Sequence, residues 1–265
     1  MQTGMTGLLK AAEVPPVIEE NASGKSPFLL TCDHYGRLIP QTLGNLGVIE
    51  SEMERHIAWD IGIAGVVTEL SQLMDAHMIA QRYSRLVIDC NRPFASASSI
   101  PVISEATPVP GNINMSQDAI AARRSGIFAP YHARITEVLD ARAQAGRSTV
   151  LVAMHSFTPV YAGIARPWHI GTLYSTDARL AHLVRDHLRA EGDLVVGDNE
   201  PYAASDTSDY AIPVYGVKRG LVHTGIEIRQ DLISDQSGQF HWAERLARIF
   251  SDVEIELRRL KLIDN

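Results

Sequence analysis

Short apolar runs alternate with longer amphipathic stretches from Pro27 onward. Phe28-Leu-Leu-Thr-Cys32 carries no charge and is followed by Gly36 and Pro40, which predicts a buried strand running into a loop. Ser51 and Glu54 have capping-box spacing, and the apolar positions behind them predict one long helix over 51–74, with Gly62 and Gly65 inside it. Residues 77–81 and 85–90 read as a pair of strands. Residues 93–114, rich in Ser, Pro and Gly, read as a loop of a length that is uncommon without a function. A helical period covers 117–145 and stops at Gly146, and 148–154 is a β-branched apolar strand. A second loop is expected over 158–174 and a helix over 177–190. Strands follow at 194–196, 212–215 and 221–228, then a C-terminal helix over 240–262.

Residues 1–25 contain Pro15, Pro16, Gly24 and few periodic apolar positions, and are expected as a loose N-terminal arm before one domain over 26–265. The alternation behind the arm predicts an α/β fold: a three-layer α/β/α sandwich around a central mixed, mostly parallel sheet. In such sheets ligand groups gather at the carboxyl ends of the strands.

Composition acts mainly by exclusion. Of 265 residues 45% are apolar, ample for a single large core, and 24 basic against 31 acidic side chains give a net charge of −7. That balance speaks against a nucleic-acid partner, which would require a cationic surplus. No window of roughly 18 uncharged apolar residues points to a membrane span. The first twenty residues lack a basic start followed by an apolar core, so a cytoplasmic location is expected. Only Cys32 and Cys90 occur, which suits a reducing compartment better than a disulfide scaffold.

Four predicted strands end in residues that a plain loop does not need: Asp33-His34, Asp89-Cys90-Asn91-Arg92, His155-Ser156, and Glu227 with Arg229. Placing such groups beside buried strands costs desolvation energy, which a shared ligand would explain. His34 and His155 are candidate metal ligands, because neutral imidazole suits Zn²⁺ and similar divalent ions. A catalytic zinc commonly takes three protein ligands. Position 37 is Arg, so no carboxylate follows His34 at close spacing, and Asp60 is the candidate third ligand. Glu227 is the candidate general base, its pKa raised by burial on a strand. Arg92, with Asn91 beside it, is a candidate clamp for a substrate carboxylate. Arg166 is a second anchor or a group that polarises the scissile carbonyl, and Arg229 a further orienting cation. His223 shares a strand face with Glu227, and Trp168 and Tyr202 are candidate pocket walls. His155 and Ser156 are adjacent on a strand and point to opposite faces, so a direct dyad is not expected.

With these residues in view, the chain resembles the N-formylglutamate amidohydrolase family over roughly residues 27–246. The resemblance lies in CDHYGRLIP, HIAWDIG, YSRLVIDCNRP, MHSFTP, GIARPWHIG, GDNEPY and GIEIRQDL. More distantly it is similar to zinc carboxypeptidases and aspartoacylases, with matches at His34, at Asn91 and Arg92, at His155 and at Glu227. The resemblance implies a zinc-exopeptidase-like α/β/α fold and metal-dependent cleavage of the amide of a small anionic N-acyl amino acid. The leading substrate is N-formyl-L-glutamate, giving formate and L-glutamate. The wider group carries His-x-x-Glu with the Glu as ligand, a pattern this chain replaces with His34-Tyr-Gly-Arg37. That departure leaves two other readings open: a carboxylate-binding protein without turnover, and a hydrolase using Ser156 or Cys90 as nucleophile. A homo-oligomer is also open.

Overall fold

Seven strands form one mixed sheet in the computed structural model, which describes residues 7–264. They are β1 (Val17–Glu20), β2 (Phe28–Cys32), β3 (His77–Gln81), β4 (Val150–Phe157), β5 (Ile170–Leu173), β6 (Val196–Asp198) and β7 (Val222–Arg229). Their spatial order is β1-β3-β2-β4-β7-β5-β6. The central four, β3, β2, β4 and β7, run parallel. β1 is antiparallel to β3, and β5 is antiparallel to β7 and parallel to β6. The helices are α1 (Ile63–Leu73), α2 (Gln117–Arg123), α3 (Ala129–Gln144), α4 (Arg179–Ala190) and α5 (Gln236–Arg259). Among the described residues no helix is long and apolar enough to cross a membrane.

The two-residue period of a strand sorts side chains between two cores. Phe28, Leu30 and Cys32 of β2 pack with Val150, Val152 and Met154 of β4 under α1, α4 and α5. Leu29 of β2, with Leu151 and Ala153 of β4, faces the other way, under α3 and irregular chain that includes Leu86, Val87 and Ile88. The result is the predicted three-layer α/β/α sandwich. Cys32 and Cys90 are both free and buried in opposite cores, so no disulfide joins them.

Several predicted elements differ. Within the stretch expected as a loose arm, residues 17–20 form the edge strand β1, and Leu8 is buried against the site where Gly126 leaves room for it. The single helix expected over 51–74 is instead one turn at Glu50–Met53, an irregular link and α1. Ile49 rather than Ser51 precedes the first turn, and no side chain caps it. Gly62 explains the break: it has φ +80°, and a Cβ there would lie 2.0 Å from the Ile233 carbonyl oxygen. The run 85–90 is not a strand. Its carbonyls at Leu86 and Val87 accept hydrogen bonds from the side chains of Asn112 and Arg123, so a buried loop is satisfied without a ladder. Residues 212–215 lie in a wide helical turn, Ala211–Val217, rather than a strand. The expected loop over 158–174 contains a two-residue hairpin and β5.

Candidate active site

The carboxyl ends of β2, β4 and β7 meet on the face covered by irregular chain. Ala153, His155 and Phe157 of β4 share that face with Gly225 and Glu227 of β7, and strand register places His155 directly opposite Glu227. His34 stands two residues beyond β2. Asp60 reaches it because the chain breaks before α1: the Asp60 N–H donates to the His34 carbonyl at 3.0 Å. The break that sequence periodicity concealed is therefore what delivers the carboxylate.

His34 Nδ1, His155 Nδ1 and Asp60 Oδ2 converge. Asp60 Oδ2 lies 3.4 Å from His34 Nδ1 and 2.9 Å from His155 Nδ1, and the two imidazole rings are 5.1 Å apart in an edge-on arrangement. One ligand atom from each of the three residues lies within 4.8 Å of the others, and all three are buried. The outer nitrogens face carboxylates as well: His34 Nε2 hydrogen-bonds Asp89 Oδ1 at 2.7 Å, and His155 Nε2 lies 3.6 Å from Asp33 Oδ2. A carboxylate behind each imidazole fixes ring orientation and tautomer in metal sites. Arg85 bridges the carboxylates, 3.4 Å from Asp60 and 2.8 Å from Asp89.

The electrostatics follow from burial and crowding. Burial opposes ionisation of Asp60, yet His34 and His155 outweigh it and hold its carboxyl well below the usual range. Burial likewise opposes charge on His155, but Asp33 and Asp60 overcome it and raise its affinity for a proton. Glu227 goes the other way: burial, reinforced by the Asp60 charge, pushes its carboxyl up to about 7. Its Oε2 is buried without a hydrogen-bond partner, as are His34 Nδ1 and both oxygens of Asp33. Four carboxyl groups around two imidazoles and one guanidinium, with polar atoms left unpaired, are a donor set suited to a divalent cation.

The cavity in front of these groups has a volume of about 490 Å³ and is lined by His34, Asp60, Arg85, Arg92, His155 and Glu227, among others. Arg92 donates to the carbonyls of Asn91 and Ser208 and is not paired with Asp89, whose partners are His34 and Arg85. Asn91 is engaged on its neighbours: its Oδ1 accepts the N–H groups of Tyr210 and Ala211, and its amide donates to Asp209. Arg166 lies at the mouth, its guanidinium 4.7 Å from the ring centre of Tyr161 and 4.8 Å from that of Tyr202, both cavity residues. Arg229 is turned away, paired with Asp231 and the carbonyls of Pro167 and Trp168. Arg37 stacks over Trp59 and pairs with Glu50. Of the remaining histidines, His56 lines the cavity beside Glu105, whereas His169 and His223 bond backbone groups elsewhere. Sequence reading missed Arg85 and gave Asp33 no role. An Arg four residues before Asp89 was the available signal, hidden because the segment resembled a strand.

A model of the N-formylglutamate amidohydrolase family matches residues 26–234. Among solved structures, a gene product from Agrobacterium tumefaciens is 39% identical, with a TM-score of 0.88 over 93% of this chain and 99% of its own. An N-formylglutamate amidohydrolase from Ralstonia eutropha JMP134 is 18% identical and shares the fold, with a TM-score of 0.72 over 93% of this chain and 99% of its own. No curated protein matches the chain.

Proposed function

The chain belongs to the N-formylglutamate amidohydrolase family, hydrolases of linear amides, and on that premise we propose a metal-dependent amidohydrolase of small anionic N-acyl amino acids. N-formyl-L-glutamate, giving formate and L-glutamate, is the first substrate to try. The observation that carries this reading is Glu227: a buried carboxyl with an unpartnered oxygen, opposite His155, lining the same cavity as the His34–Asp60–His155 cluster.

His34, His155 and Asp60 would hold the cation, with Zn²⁺ the candidate from the two imidazoles and one carboxylate. Such an ion polarises an acyl oxygen and lowers the pKa of water to roughly 7. Glu227, itself tuned to about 7, takes the proton from the attacking water and delivers it to the leaving nitrogen. Arg92 grips the α-carboxylate, and Asn91 holds the segment 208–211 against which Arg92 rests. Arg166, beside Tyr161 and Tyr202, would meet charge developing on the acyl side. Arg229 has no such access and serves the loop at Pro167 and Trp168.

A protein nucleophile finds little support. Cys90 is fully buried and burial pushes its thiol well above the ordinary value, while the Ser156 hydroxyl donates to the Ile61 carbonyl. The test is metal analysis of the purified protein together with hydrolysis of N-formyl, N-acetyl and longer N-acyl amino acids, with and without chelator. Turnover that stops on chelation and returns with Zn²⁺ supports the reading. Undiminished turnover after complete metal removal overturns metal dependence. Metal-independent binding without turnover favours a carboxylate-binding role.

A further inference from the structure

Strand register shows what lies one step below the catalytic row. Two residues back along β4 and β7 from His155 and Glu227 stand Ala153 and Gly225, paired with each other, and Gly225 is paired with Leu173 of β5. These three residues line the cavity on the same face as the catalytic pair, and Ala211 and Ile212 line it with them. Leu173 and Ile212 belong to one buried apolar cluster. A Cβ on Gly225 would stand 3.0 Å from Ile212 Cδ1 and 3.2 Å from Leu173 Cβ, so the glycine lets these two apolar side chains close over the strand, and a methyl there would push them into the cavity.

The cations of the cavity are distributed unevenly. Arg85 is committed to Asp60 and Asp89. Arg92 rests on the Ser208 carbonyl, and Asn91 beside it binds the N–H of Ala211, so the clamp and the apolar wall belong to one segment. Among the described residues no second uncommitted guanidinium or ammonium lines this part of the cavity. Asp209, which also lines the cavity two residues before Ala211, takes its bonds from Asn91, Ser205 and Ser208 rather than from a cation. Arg166 stands on the other side of the catalytic row, over Phe157.

We infer that the row Ala153–Gly225–Leu173, with Ile212 against it, is the side-chain subsite, and that the substrate class is N-acyl amino acids with an apolar side chain the size of leucine or methionine. This rests on the amidohydrolase reading and sharpens it. The α-carboxylate takes Arg92, the guanidinium that lines this part of the cavity without a carboxylate partner. A second carboxylate, as in glutamate, would lose its hydration on an apolar floor beside Asp209 with no partner in exchange.

The experiment compares kcat/KM of the Zn²⁺-loaded protein for the N-formyl derivatives of leucine, methionine, alanine and glutamate. Leucine and methionine are expected to exceed glutamate by about tenfold or more, the scale of discrimination an apolar pocket provides. Glutamate at parity or faster overturns the subsite. Gly225→Ala should lower the leucine-to-alanine ratio about tenfold, and an unchanged ratio in the folded variant also overturns it. Should turnover be absent throughout, the amidohydrolase reading fails. Calorimetric binding of the N-formyl leucine and glutamate derivatives to Glu227→Gln protein then still decides the subsite, with tighter leucine binding supporting it and tighter or equal glutamate binding overturning it.

Discussion

The two faces of the sheet are built on different principles. One is sealed by α1, α4 and α5 in a wholly apolar cluster, where Phe28 and Phe250 pack ring to ring at 5.2 Å. The other is covered by α3 and irregular chain, and the buried ionisable side chains belong to it or to the strand ends above it: Asp33, Asp89, Arg123, His132, His155 and Glu227 among them. Helices satisfy their own backbone and need only apolar contact. Irregular chain must find partners in side chains, as Leu86 and Val87 do in Asn112 and Arg123. A face that already requires buried polar groups can also hold groups poised for chemistry. The comparison teaches a division of labour: the helical face supplies stability, and the irregular face supplies the site.

The sharpest way to break that division is at Glu227. Glu227→Gln is expected to lower kcat by roughly 10²–10⁴-fold while the protein stays folded, measured by steady-state hydrolysis beside a denaturant titration. The wild-type pH profile sharpens the same point. The base must be ionised, so kcat/KM should rise with pH through about 7 and level off above it. An activity that is flat from pH 5 to 8 would remove Glu227 from the role.

The opposite face gives the converse. Phe250→Ala, at a fully buried ring, should cost about 3–5 kcal/mol of stability by chemical denaturation. It should leave kcat of the folded fraction and its metal affinity unchanged. A loss of kcat comparable to that of Glu227→Gln would mean that the two faces are coupled.

Asp33→Asn probes the irregular face without replacing a ligand. With the carboxylate behind His155 Nε2 gone, the imidazole is less well oriented, and metal affinity should fall about 10- to 100-fold by chelator competition. Unchanged affinity would make Asp33 a group of the fold alone.

The same contrast explains how much was legible in the amino-acid pattern. β2, β3, β4 and β7 announce themselves as apolar runs, and the helices over 179–190 and 236–259 as amphipathic periods, because a regular element packed on a core has a regular signature. β5 did not, since Ile170-Gly-Thr-Leu173 is short and glycine-broken, and β1 carries two glutamates on a sheet edge. The runs 85–90 and 212–215 misled because burial, not strand geometry, makes them apolar. Their backbone partners lie far away in sequence, at Asn112 and Arg123 for the first. His34, His155 and Glu227 were found together because all stand at strand ends. Arg85 and the part played by Asp33 were hidden, since each depends on a contact between distant segments.

The smallest expected effect isolates the cost of the irregular face. His132 is buried between Phe128 and Tyr210, with Nδ1 2.6 Å from the Tyr215 hydroxyl, and burial lowers its pKa to about 4 although Asp33 pulls the other way. An unfolded histidine titrates near 6.5. Between those values the unfolded chain binds a proton that the folded chain refuses, so stability must fall as pH falls through 6.5 towards 4. From pH 7 to pH 5 this group alone should remove about 2 kcal/mol. Glu227, whose carboxyl is held up to about 7, acts in the opposite sense over the same range, and His34 and His155, whose proton affinity is raised, do so above about 6.5, so the wild-type slope mixes several groups. The difference between wild-type and His132→Asn denaturation curves at the two pH values separates them. The variant should lose about 2 kcal/mol less on acidification, and equal losses would show that the ring accepts its proton in place.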